Sequence, residues 1–158
     1  MHLEGGDYVL DAPLTKAEPV ALTDVMRRAF PMALVESFTA GPNLYIVAEK
    51  ARDIVNFEPD FSAILPLSHH GVGLTAVGEG SYDMISRFFF PAEGIDEDSV
   101  TGSAHAVVGP YWADKLGKTK LFARQASARG GDLKISVKNN RVDIAGPAVT
   151  YLRGTISI

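Results

Sequence analysis

Three features of the chain point to an α+β fold folded as one compact domain. The last third alternates apolar and polar residues with the two-residue period of half-buried strands, as in Leu133, Ile135 and Val137 set between Lys134, Ser136 and Lys138. One segment, GSAHAVVGPYWADKLG from Gly102, has helical spacing with apolar or small residues on nearly every side. The length, 158 residues of which 46% are hydrophobic and 22% charged, is that of one ordinary domain with its own core. No run of Pro, Gly, Ser or charge is long enough for a linker and no repeat of solenoid period occurs, so residues 1–158 read as a single domain.

In chain order, residues 8–11 read as a strand. Leu22, Val25, Met26, Ala29 and Phe30 then form the i, i+3, i+4 stripe of a core-facing helix, which Pro31 stops. Residues 33–39 and 43–49 are two strands around the turn signal Ala40-Gly41-Pro42, suited to a hairpin. The polar, Pro-containing stretch 50–66 has room for one or two short helices, and residues 71–77 and 82–90 return to strand composition. Residues 121–126 form a further strand, followed by the alternating one. Asn139-Asn140 suits a tight turn because Asn tolerates positive φ, and Val142/Ile144 and residues 148–153 supply two last strands.

The helix from Gly102 is the most informative element. Ala104, Val107, Val108, Tyr111 and Trp112 make one stripe, and Ala106 and Gly109 keep the opposite side small, so protein should surround it. Pro110 removes a backbone donor and crowds the preceding turn, which predicts a kink or short break near residues 106–109.

Composition excludes several classes of function. Fifteen Lys and Arg against nineteen Asp and Glu give a net charge of -4, which disfavours nucleic acid as a partner. With no Cys there is no disulfide framework, thiolate zinc site or cysteine nucleophile, and a reducing cytoplasmic setting fits. The opening MHLEGGDYVL lacks the basic start and apolar run of a signal peptide, and nowhere do eighteen apolar residues run together, so no membrane association is expected.

Just before the helix comes EGIDEDSVTGSAH, residues 93–105. Ser99 or Asp98 is a plausible N-cap, and Thr101, Gly102, Ser103 and Ala104 are small enough to leave the first-turn amides open. Free amides at the positive end of a helix suit a carboxylate or phosphate. Thr101 and Ser103 add hydroxyls, and Asp98 adds a carboxylate able to accept a proton or orient a hydrogen bond. The residues alone equally allow a capped helix with an acidic approach that binds nothing.

The segment SRFFFPAEGIDEDSVTGSAHAVVGPYWADKLGKTKLFARQASARGG, residues 86–131, closely resembles the phenazine biosynthesis PhzF-like family, relatives of diaminopimelate epimerase. Its ordered motif is long: an acidic approach, DxVTGSAH, PYWAxxLGK and ARQxSxRGG. The similarity extends from about residue 7 to residue 158, through VLDAP near the start and AVTYLRG near the end. The resemblance implies a diaminopimelate epimerase-like domain, a curved antiparallel-rich sheet or small barrel wrapped around a central helix. It further implies a protein of two similar halves with the active site between them, of which this chain matches the second. On that mapping Asp98 assists proton handling, Gly102 and Ser103 hold a substrate carboxylate, and Thr101 and His105 belong to the same binding motif. The family's principal acid/base, a Glu, lies in the first half and has no counterpart here. Ser99 stands where the family usually has Pro, and Ala106 where many relatives carry Cys.

Two functions follow as expectations. One is an isomerase-type domain moving a proton on a small carboxylate-bearing metabolite without metal or organic cofactor, in a cleft completed by a homodimer. The other is a binding or assembly domain that has lost chemistry, or a half-protein needing a separate first-half partner.

Other signals carry less. Gly71-Val72-Gly73-Leu74-Thr75-Ala76 fits a dinucleotide-loop pattern but reads as a Gly-containing strand, since Gly78-Glu79-Gly80 cannot continue as a helix. His69-His70 lacks a third metal ligand, and the acidic run Glu93, Asp96, Glu97, Asp98 lacks the spacing of a calcium loop. Arg87, Arg124 and Arg129 fit either an anion site or fold-holding hydrogen bonds, and Gln125 is open in the same way.

Overall fold

A computed structural model describes residues 1–68 and 70–156. The chain order is β1 (His2–Glu4), β2 (Asp7–Pro13), β3 (Glu18–Val20), α1 (Asp24–Ala29), β4 (Leu34–Ala40), β5 (Asn43–Ala48), α2 (Ala51–Val55) and α3 (Phe61–Ile64). It continues with β6 (Val72–Val77), β7 (Met84–Phe90), β8 (Ile95–Asp98), α4 (Gly102–Leu116), β9 (Lys120–Gln125), β10 (Gly131–Lys138) and β11 (Arg141–Gly146). All strands join one sheet in the order β1-β2-β11-β10-β9-β7-β6-β5-β4-β3, with β8 branching from β7. The order has two free ends, so the sheet is open rather than a closed barrel. Neighbours are antiparallel except β5/β6 and β7/β9, whose connections carry α2 and α3 in the first case and α4 in the second.

The sheet has a different partner on each face. On one face Phe38, Tyr45, Met84, Phe88, Leu121, Ala123, Leu133, Ile135, Val142 and Ile144 pack around α4. On the other, Leu44, Ile46, Leu74, Ala76, Ile85 and Phe89 pack against Met26, Phe30, Ile54 and Ile64 of α1 to α3 and their flanks. Strands β5, β6 and β7 are therefore buried on both faces, and their sequences are continuously apolar instead of alternating. Strand β6, the segment with the dinucleotide-loop pattern, carries no such loop. A Cβ on its Gly73 would stand 2.5 Å from Phe88 Cε1, so the glycine is there to let aromatic rings cross.

Helix α4 is buried on nearly all sides, as its composition predicts. Gly109 presses on β10, where an added Cβ would lie 2.8 Å from Ile135 Cγ2. Trp112 donates from Nε1 to Thr75 Oγ1 at 2.9 Å, which fixes the helix against β6. The expected break near residues 106–109 is not present: the helix continues through Pro110 to Leu116, held by packing on all sides. Gly117 ends it with φ +64°, the left-handed conformation that a C-terminal cap needs.

Other sequence expectations fare unevenly. The hairpin β4/β5, the two short helices in 50–66 and the Asn139-Asn140 turn, with Asn139 at φ 31°, are all present. The expected strand at 148–153 is not: the chain leaves the sheet at Gly146 and runs on as coil, with Val149 and Tyr151 almost fully exposed. Strand composition without a neighbouring edge gives no ladder. Strand β8, formed by the acidic approach to α4, and the short exposed strands β1 and β3 were not foreseen. No helix among the described residues is long and apolar enough to cross a membrane.

Candidate functional site

The approach to α4 is built by side chains from three strands. Arg87 on β7 is turned away from α4 and grips Glu97 of β8 with both arms, Nε to Oε1 at 2.7 Å and Nη2 to Oε2 at 2.8 Å. Its remaining nitrogen donates to the carbonyls of Ile54 and Phe57, and the guanidinium lies over the Phe57 and Phe89 rings. With both partners largely buried, Arg87 is a structural clamp that sets where β8 ends, at Asp98. Arg124 likewise bonds Asp132 at 2.8 Å across β9/β10, and neither arginine reaches the helix tip by any hydrogen bond among the described residues.

From Asp98 the chain turns through Ser99 and Val100 into α4, and the ARQxSxRGG segment holds that turn. Gln125, fully buried at the end of β9, accepts the Thr101 amide on Oε1 at 2.7 Å and donates from Nε2 to the Asp98 carbonyl at 2.7 Å. Ser127 donates to the Ser99 carbonyl at 2.7 Å. Gly131 makes room for Val100, whose Cγ2 an added Cβ would strike. The two halves of the motif are thus one object, a turn and the cradle that carries it.

The N-cap is Thr101, two residues after Ser99 and three after Asp98, the two expected positions, and no side chain among the described residues caps it. The backbone carbonyls of Asp98 and Ser99 are held by Gln125 and Ser127, and Asp98 Oδ2 is taken by the Thr101 hydroxyl instead of a first-turn amide. The amides of Gly102 and Ser103 donate to no protein acceptor among the described residues, and Ser103 is exposed while Gly102 is half-buried against Leu10 Cδ2. These are the groups that a helix dipole makes receptive to an anion. Asp98 is half-buried; its Oδ2 accepts the Thr101 hydroxyl at 2.7 Å, and no protein donor meets Oδ1 among the described residues.

His105 is fully buried. Its Nδ1 lies 2.7 Å from the Thr101 carbonyl and its Nε2 lies 3.1 Å from Ser86 Oγ. A carbonyl only accepts, so Nδ1 carries the proton and Nε2 takes the serine hydroxyl. Burial pushes its pKa down to about 4, and the ring is neutral at ordinary pH. Of the expected residues, the structure brings Asp98, Gly102 and Ser103 to the accessible tip; Thr101 and His105 lie behind them as support.

Residues that sequence reasoning passed over are Ser127 and Ser86, and it left Gln125 open. The signal for Gln125 and Ser86 was available: each is polar at an inward position of a strand, after Leu121 and Ala123 in one case and between Met84 and Phe88 in the other. Among the described residues no group of three or more His, Asp or Glu could hold a metal, and His69 lies outside those residues. A concavity of about 780 Å³ occurs on the outer sheet face, away from the tip, where Lys134 pairs with Asp7 and Lys138 with Asp143.

An open mixed sheet packed around one helix, with a cradled helix tip beside a carboxylate, defines the chain as an α+β domain of PhzF-like fold. The chain belongs to the PhzC-PhzF family: the model for phenazine biosynthesis-like proteins matches residues 12–154. It is 39% identical over 155 residues to an uncharacterized isomerase of Pseudomonas aeruginosa, covering 98% of this chain and 59% of that protein. The human phenazine biosynthesis-like domain-containing protein is 35% identical over 168 residues, with 94% and 58% covered. The crystal structure of a PhzF-family phenazine biosynthesis protein from Enterococcus faecalis superposes with a TM-score of 0.89 at 38% identity, covering 99% of this chain and 60% of that one. The chain therefore spans about three fifths of the relatives it matches. The narrower expectation of a match to the second half alone is not borne out, since the shared part exceeds half of each relative.

Proposed function

We propose that residues 1–158 act as one isomerase-type domain that binds a small carboxylate-bearing metabolite at the α4 tip. Gly102 and Ser103 hold the carboxylate through their amides and the serine hydroxyl, and Asp98 gives or takes a proton. One observation supports this above others: two amides and a carboxylate oxygen without partners among the described residues adjoin at the positive end of a fifteen-residue helix. Removing a carbon-bound proton requires the developing negative charge to be stabilised, and fixed amides with an oriented carboxylate supply that without reorganising. In this reading no metal or organic cofactor takes part.

The second acid or base comes, in this reading, from a second copy of the chain facing the first across a shared cleft, so that one Asp98 is protonated and the other ionised. An apolar side chain next to the tip supports an association: Leu10, in contact range of Gly102, is partly exposed. Light scattering on the purified chain should give twice the monomer mass; a monomer at all concentrations counts against the shared cleft.

A binding module without chemistry is the second reading. It is favoured by the sealing of His105, which leaves Asp98 as the one titratable member of the expected set within reach of a ligand. Solvent deuterium incorporation into a panel of small amino and hydroxy carboxylates separates the two. The isomerase reading expects exchange by the wild type that Asp98→Asn abolishes. Exchange retained by the variant removes Asp98 from the role, and none by either protein leaves the binding module.

A further inference from the structure

The hydrogen bonds beneath the tip run in one direction only. Gln125 Nε2 can donate but not accept, and it lies 3.2 Å from Thr101 Oγ1 as well as 2.7 Å from the Asp98 carbonyl. Its Oε1 faces the Thr101 amide, so the orientation of the side-chain amide is settled by a donor on one side and a carbonyl on the other. The Thr101 hydroxyl receives Gln125 on its oxygen, and its own hydrogen is left for Asp98 Oδ2 at 2.7 Å. Gln125 is 0% exposed and Thr101 6%, so water does not readily replace either link.

We infer that Thr101, aimed by Gln125, is a positioning residue that pins Asp98 through Oδ2 and leaves Oδ1 as the oxygen that exchanges a proton with substrate. The inference rests on the isomerase reading for its catalytic meaning, while the pinning itself does not. Without the amide of Gln125 the Thr101 hydroxyl is free to turn elsewhere, and Asp98 loses its fixed partner. Thr101 then serves a ligand through Asp98 instead of touching it. The arrangement also explains why a buried glutamine ends a strand whose other inward residues, Leu121 and Ala123, are apolar.

The test compares Thr101→Val, which removes the hydroxyl at nearly constant shape, with Thr101→Ser, which keeps it, and with Gln125→Glu, which keeps the acceptor for the Thr101 amide but loses the NH₂ donor. Three-bond couplings from the Asp98 Cγ to its backbone nitrogen and carbonyl report the χ1 rotamer in labelled protein. One rotamer is expected for the wild type and Thr101→Ser, and rotamer averaging for Thr101→Val and Gln125→Glu, with amide spectra otherwise native. A single Asp98 rotamer in Thr101→Val or in Gln125→Glu, whichever folds, overturns the inference. Where the wild type exchanges substrate deuterium, Thr101→Val should lower kcat by about 100-fold with KM little changed, and Thr101→Ser should restore it. An unchanged kcat in a variant with an averaged rotamer also overturns it. Absence of exchange in the wild type defeats the isomerase reading, and the couplings still decide the pinning.

Discussion

His105 shows how one buried side chain links the site to pH. Its folded pKa, about 4, lies below the ordinary value of 6.5, so the unfolded chain binds a proton more readily than the folded one. Its contribution to stability is complete above pH 6.5 and is lost as pH falls toward 4, by about 3 kcal/mol in total and about 2 kcal/mol by pH 5. Urea unfolding at pH 7 and pH 5 should show that loss in the wild type and much less in His105→Gln; equal losses would clear His105 of responsibility. Arg87 makes the opposite kind of demand, a charge that must be matched. Shortening it in Arg87→Lys removes the two-armed grip on Glu97 and should cost about 3 kcal/mol, read from the urea midpoint, because a carboxylate is left poorly paired in a nearly closed setting. The role of Arg87 was not legible in the sequence, whereas Gln125 was marked by alternation with Leu121 and Ala123. Arg87 lies on the face of β7 turned from α4, and which face a polar residue occupies in a doubly buried strand is not marked by alternation.

Among the elements, α4 was the most legible and its neighbours the least. Its span from Gly102, its burial and its small-residue side all follow from spacing, whereas continuity through Pro110 depends on strands distant in the chain. Gly109 tests that dependence. Alanine is the better helix former by about 1 kcal/mol, but its methyl would press into Ile135 Cγ2, and overpacking of this kind costs about 1–3 kcal/mol. Gly109→Ala should therefore be destabilised in chemical denaturation, and a more stable variant would show that β10 yields easily. Strand β8 was hidden for a different reason: three of its four residues are acidic, and backbone bonds to β7 and the grip of Arg87 on Glu97 make it a strand. The segment 148–153 is the converse case, with strand composition but no strand in the structure.

For the molecule as a whole, the fold class and the helix-tip location were legible, while the open edge order of the sheet and its two parallel joins were not, because pairing partners are far apart in sequence. The exposed coil after β11 carries a prediction of its own. Tyr151 and Leu152, 99% and 80% exposed, touch no core. Replacing both by Ser should leave the thermal midpoint of the dissociated chain unchanged and weaken self-association in light scattering. A lowered midpoint would show that they support the core after all.

The cradle beneath α4 also governs when the site comes into being. A nascent chain synthesised only as far as Leu116 contains the residues of the helix and Asp98, yet Gln125, Ser127 and Gly131 are still to be added. β2 must likewise wait for β11, as the Asp11 to Arg141 contact spans 130 residues. A chain cut short before β9 thus lacks the cradle that holds the turn from Asp98 to Thr101, and the helix tip takes its shape only once those later residues are in place.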